Sequence, residues 1–374
     1  MSRRLPAAPL VAAAALAAAA AQSFALRAER HAAESPAAAL AASAAPPLVK
    51  FAGVALGGFR GVIADALWFR ADRLQDERRF VELVQLADWI TALDPANEEA
   101  WVFHAWNMAY NVSFLLSRPD DRWRWVEGGI SLLRDRGVPL NPSSAEIRRN
   151  LGWFFQHKIG MDGDEAAPFY RTEWAREIAA YLGEGGAAPA AGSIASAELA
   201  ETLGMDASLM AGLEGRYGPV DWRVPAASSL YWASTALESG ASGKDRVSCL
   251  RMVYQSLCTM AFGPGRVVGD PEEEGWTFRA MANPDLADSA VAAVELAMRE
   301  SPYAGIRHAY AGALREATLL RALQGREDES RALHEKLRAF FAANGVADGV
   351  PAWEDLPSAP EDWSAVLLER AGFH

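Results

Sequence analysis

Two proline steps constrain this chain more than any other feature: Asp94-Pro95 and Asn141-Pro142. Proline cannot continue a helix, and it pushes the residue before it out of the helical region, so each step closes a helical run. A new helix opens at once after the first step. Asn97 stands as its N-cap, with Glu98 and Glu99 in the positively polarised first turn. Ser143-Ser144-Ala145-Glu146 repeats the arrangement after Pro142. Ahead of Pro95, Phe80, Leu83, Val84, Ala87 and Ile90 recur at three- and four-residue spacing, one face of an amphipathic helix. No sustained strand-type alternation competes with this pattern, so the chain reads as all-α from about Leu48 onward.

Composition removes several function classes. The chain of 374 residues is 51% hydrophobic, enough for one large helical array or two domains. Its formal charge of −12 carries no basic stripe, and lysine is confined to Lys50, Lys158, Lys244 and Lys336, which argues against a nucleic-acid partner. Cys249 and Cys258 fall on opposite faces of one helical run, so an internal disulfide is not expected, and two cysteines are too few for a cysteine zinc site. His31, His104, His157, His308, His334 and His374 show no paired metal spacing. The motifs of phosphate-binding loops, zinc peptidases and serine hydrolases are absent from the sequence. No cofactor, metal or catalytic residue is therefore assigned.

The N-terminus sets Arg3 and Arg4 before an Ala-rich apolar run from Leu5 to Ala21, followed by small residues. Residues 1–28 read as a secretory signal peptide or an uncleaved N-terminal membrane anchor. Either places the body in the periplasm or anchored at the inner membrane facing it, if the source is Gram-negative; membrane contact is then confined to this segment. Residues 29–47 are an Ala/Pro-rich linker.

Further residues give the body its family likeness. Leu151-Gly152 with Phe155 beyond it, the closing Pro95, and a register that steps back from Trp101 to Leu67, from Ala105 to Ala71 and from Met108 to Leu74 together resemble the tetratricopeptide repeat. Two departures stand out. Alanine occupies the family's glycine position in both units, and Arg78 replaces the usual inter-helix glycine. The span from Pro95 to Pro142 also exceeds one repeat, with an insertion expected around Ser117 to Asp121 and Asp120 capping the helix that follows. The resemblance implies a right-handed α-solenoid of antiparallel helix pairs. Residues 48–183 form repeats, 184–193 a Gly/Ala/Pro-rich linker, 194–350 a second helical half with degenerate repeats, and 351–374 a C-terminal cap bearing Trp353 and Trp363. In the second half, Pro302 fits the closing position and Gly325 separates two helices.

Two local features carry their own alternatives. Asp162-Gly163-Asp164 suggests a calcium loop, yet the bidentate glutamate such a loop needs is missing, and a polar turn that caps a helix explains the residues. Gly263 to Pro284 is a long loop with the acidic triplet Glu272-Glu273-Glu274, a length that often marks function or flexibility.

The resemblance implies a scaffold that binds a protein or peptide in a concave aromatic and acidic groove lined by the first helix of each pair. Carried over by position, that groove takes Asp65, Trp68, Asp72 and Gln75 from the first unit and Val102, Trp106 and Tyr110 from the second. The third supplies Arg149, Trp153, Gln156 and His157. The same tryptophans are equally suited to a helical core. The alternative function is an all-α enzyme that binds or cleaves glycan with paired carboxylates.

Overall fold

The computed structural model describes residues 60–301, 303–345, 350–357 and 359–363. The N-terminal apolar run, the Ala/Pro-rich linker and Pro302 lie outside the described residues. The chain forms two compact units, one of Met1–Asn107 with Pro139–Asn141, the other of Met108–Val138 with Pro142–His374. Among the described residues the protein is all-α with almost no strand, as the periodicity predicts, and residues 48–59 of the predicted helical span lie outside them.

The first unit contains α1 (Arg60–Asp76), α2 (Phe80–Leu93) and α3 (Glu98–Trp106). Ala71 and Leu74 of α1 meet Leu83, Leu86 and Ile90 of α2 and Ala100 of α3 in one core, with Trp68 and Phe103 packed against it. Pro95 does what the sequence requires: α2 stops at Leu93, and the freed Pro95 carbonyl accepts the indole N–H of fully buried Trp101 at 2.9 Å. Asn141, the residue before the second proline step, donates to the same carbonyl at 3.0 Å. Asn97 caps α3, its side-chain oxygen accepting from the Ala100 N–H. The turn from α1 to α2 closes with Arg79 N–H on the Leu74 carbonyl and Arg78 N–H on the Gln75 carbonyl, the Schellman pattern. That pattern needs a left-handed residue, and Arg78 takes φ of 55° in the place where glycine was expected.

The second unit begins with α4 (Pro119–Ser131), α5 (Ala145–Trp153) and α6 (Ala167–Ala179). Pro119 occupies the first turn of α4, so Asp120 sits inside that turn and pairs with Arg118 instead of capping the helix as expected. Ser144 caps α5 through the Ile147 N–H. Three π-helical turns interrupt this stretch: Asn107–Val112 after α3, Leu132–Gly137 after α4 and Phe154–Ile159 after α5. Such turns shift the register of the side chains that follow and recur at functional sites.

The rest of the unit is α7 (Ile194–Leu203), α8 (Ala207–Tyr217), α9 (Pro225–Glu238), α10 (Gly243–Phe262), α11 (Ala287–Glu300), α12 (Ala304–Leu323) and α13 (Glu327–Ala343). Gly152 lets α5 approach α9 and α10 closely. A methyl group there would stand 2.5 Å from Met252 Sδ and 3.2 Å from the Ser229 carbonyl oxygen. The stretch expected as a linker at 184–193 lies inside this unit, where Trp222 N–H bonds the Gly186 carbonyl and Ala188 N–H bonds Glu214. The long loop at 263–284 is tied down. It forms an antiparallel pair, β1 (Arg266–Val267) with β2 (Ala280–Met281), and Arg176 of α6 holds the Pro271 and Trp276 carbonyls. No helix among the described residues is long and apolar enough to cross a membrane.

Candidate functional site

In the second unit, the run of α5 and its π-turn carries two very different faces. One is turned inward. Lys158, only 2% exposed, donates to Asp164 at 2.7 Å and to Ser113 at 3.2 Å. Asp164 is equally enclosed and has both oxygens filled. Oδ2 accepts from Lys158 and from the Tyr170 hydroxyl at 3.0 Å, and Oδ1 accepts from Arg122 at 3.1 Å and the Ala166 N–H at 3.0 Å. Arg122 completes its own set with the Leu116 carbonyl and Glu165. Half-exposed Phe114 covers the Lys158 ammonium, its ring centre 4.3 Å away.

Burial raises a carboxyl's affinity for protons, but the hydrogen bond from Lys158 and those from Ala166 and Tyr170 outweigh it, so Asp164 lies below the usual carboxylate range. Burial lowers the Lys158 ammonium and Asp164 recovers part of that, while the 2.7 Å contact keeps the pair charged. The Tyr170 phenol is pushed well up by burial and by the neighbouring Asp164 charge. Every group in this hub has its partners. Its chemistry is to hold the π-turn, the Gly160–Glu165 turn and the start of α6 together. The Asp-x-Asp pair is thus a turn whose second aspartate serves the core, and no cluster of His, Cys, Asp or Glu among the described residues is arranged for a metal ion.

The other face is half-exposed, and it gathers four of the residues selected from the sequence. Trp153 and His157 stack, ring centres 4.8 Å apart and planes 12° from parallel. The Tyr110 hydroxyl lies 3.2 Å from His157 Nδ1, and its ring meets Phe154 edge-on. Gln156 bonds Gln255 of α10 at 3.2 Å. Burial pushes the Tyr110 phenol far up, with the Trp153 indole offsetting part of it, so the hydroxyl keeps its proton. Burial and the adjacent Lys158 charge hold His157 below its ordinary value, which leaves a neutral ring near pH 7. When Tyr110 donates to Nδ1, the remaining proton sits on Nε2 as a donor. Arg149 shares the helix face but is engaged by Asp245 of α10 at 3.3 Å.

The other selected residues belong to the first unit. Asp65, Asp72 and Gln75 are exposed along α1, while Trp68 is half-buried, its ring 5.1 Å from Phe103 at the edge of the core. Val102 and Trp106 on α3 are half-buried.

Sequence reading missed the hub. Its signals were present: Lys158 is one of four lysines and lies in the run Phe154-Phe155-Gln156-His157-Lys158-Ile159, and Asp164 stands just ahead of a helix start marked by Pro168. It also missed an acidic grouping at the far end of α6. Burial, then Glu127, with Glu173 adding to it, push the Glu177 carboxyl up to about 7 against a smaller opposing pull from Arg134.

No known family model matches the chain, and a search of curated proteins finds no similar sequence.

Proposed function

We propose that the protein is an exported helical scaffold of tetratricopeptide-like hairpins that binds a protein or peptide segment in the cell envelope. The observation that carries this reading is the Tyr110–Trp153–His157 arrangement: large, rigid, half-buried rings packed on one another beside a saturated hub that fixes the backbone beneath them. Tryptophan and tyrosine in such settings supply contact area at little conformational entropy and dominate binding hot spots. The proline-punctuated helix pairs and the Arg3-Arg4 apolar leader support the scaffold class and the export. The test is a pull-down from envelope extract with wild-type protein and Trp153→Ala. A protein retained by the first and lost by the second is the expected result, and identical recovery by both would remove the reading.

A second reading draws on Glu177. A carboxyl held near 7 is suited to general acid work, and Glu127 beside it offers the second carboxylate that glycan cleavage uses. Cell-wall glycan turnover abolished by Glu177→Gln would carry this reading; purified protein without turnover would dispose of it.

A further inference from the structure

We infer that His334 is an acid-sensitive latch that holds the C-terminal segment bearing Trp353 and Trp363 against α13. His334 is fully buried on the inner face of α13, and among the described residues neither ring nitrogen makes a hydrogen bond of good geometry, the Pro351 carbonyl acting on the ring only as a weak acceptor. Trp353 stands edge-on to the imidazole, ring centres 5.4 Å apart, and Trp363 stands edge-on to Trp353 at 5.2 Å. Trp363 is itself buried and donates its indole N–H to the Pro357 carbonyl. Arg331 lies over the Trp353 ring at 5.1 Å and reaches Glu354 at 3.7 Å. One turn before His334, Ser330 bonds the Thr318 carbonyl of α12, so this face of α13 is closed on that side as well.

A buried imidazole without a strong partner tolerates the neutral ring and rejects the cation. The charged groups around it do not reverse this. Arg338, a turn further along α13, repels a cation. Glu335 on the same helix, Glu354 on the 3-10 turn Trp353–Asp355 and the Pro351 carbonyl attract one. On α12, Arg321 is taken up by Asp288 and Glu329. Burial, joined by Arg338, prevails, and the ring is held below its ordinary value of 6.5. The latched state therefore binds fewer protons than a state in which the segment has left and His334 meets water. The latch is fully effective above about 6.5 and weakens as pH falls below it.

Hydrogen–deuterium exchange on the full chain reads this directly. The amides of Asp355, Leu356 and Asp362 hold backbone bonds inside the segment. Corrected for the intrinsic pH dependence of exchange, their opening should rise by up to about ten-fold per pH unit between about 6.5 and the lowered folded value. His334→Leu, similar in bulk and unable to titrate, should remove that slope, and His334→Arg should open the segment already at neutral pH. The His334 ring resonance, followed by NMR in the wild-type protein, should titrate below its ordinary range together with the exchange. Exchange that does not change with pH in the wild type, an unaltered slope in His334→Leu, or an ordinary His334 titration would each overturn the latch.

Discussion

Asp164 and Glu177 stand at opposite ends of α6, both withdrawn from water, with opposite fates. Asp164 lies just ahead of the N-terminal end, where the helix dipole favours negative charge, and four donors fill its two oxygens. Glu177 lies in the last turn, where the dipole disfavours charge, and after burial the largest influence on it is Glu127, with Arg134 opposing and Glu173 adding a smaller push. Burial acts on both in the same direction. Partners and position on the helix decide that one stays ionised far below neutrality while the other titrates near 7. A buried acidic residue is therefore uninformative until its donors are known, and the two ends of one helix make opposite contributions to stability.

The sharpest way to break this comparison is to remove the partnered carboxylate. Asp164→Ala leaves Lys158 and Arg122 facing a void, and thermal or urea unfolding should show a loss of about 3–5 kcal/mol, as for other broken buried pairs. Acid should produce the same effect in the wild type. The folded value of Asp164 is depressed, so its contribution is present above the ordinary carboxylate range and is lost as pH falls through the folded value. The unpartnered carboxyl should behave in the opposite sense. Glu177 binds its proton more tightly when folded, so stability falls as pH rises from about 4.5 towards 7. Glu177→Gln should therefore melt higher than wild type at pH 8, by at most ~3 kcal/mol, with the difference vanishing near pH 4.5.

The smallest expected effect carries the contrast to the backbone. Gly325 and Arg78 close the hairpins α12–α13 and α1–α2 with the same pair of hydrogen bonds, and both adopt positive φ. Glycine meets that demand without strain and arginine does not. Arg78→Gly should raise stability by up to about 1 kcal/mol, the left-handed penalty relieved less the added freedom of the unfolded chain. An unchanged or lowered melting temperature would mean that this turn is not strained.

Much of the fold was legible because its signals are local. Asp94-Pro95, Asn97 and Ser144 act within a turn of themselves, and each stop and cap falls where the chain places it. The departure at Arg78 was visible too, since Arg78 stands where the resembling family has its inter-helix glycine. The hub was not legible. Arg122, Lys158, Asp164 and Tyr170 come from four elements whose meeting depends on tertiary packing, and neither spacing nor propensity encodes it. The π-turns were equally hidden, because a single inserted residue carries no composition or capping signal of its own. Of the selected groove residues, those on α5 and its π-turn share a face by helix geometry alone. Arg149 could not be foreseen as paired, because Asp245 lies on a distant helix.

The central claim is that the half-buried rings beside the hub bind a partner and are not needed to hold the core. Trp153→Ala tests it when melting and affinity are measured on the same preparation, using the envelope protein recovered in the pull-down. The expected result is weakening of binding by about 2 kcal/mol or more, with a stability loss well under the roughly 3–5 kcal/mol of a truncated core aromatic. A loss of core size with unchanged affinity in the folded fraction would contradict the account and make Trp153 a packing residue.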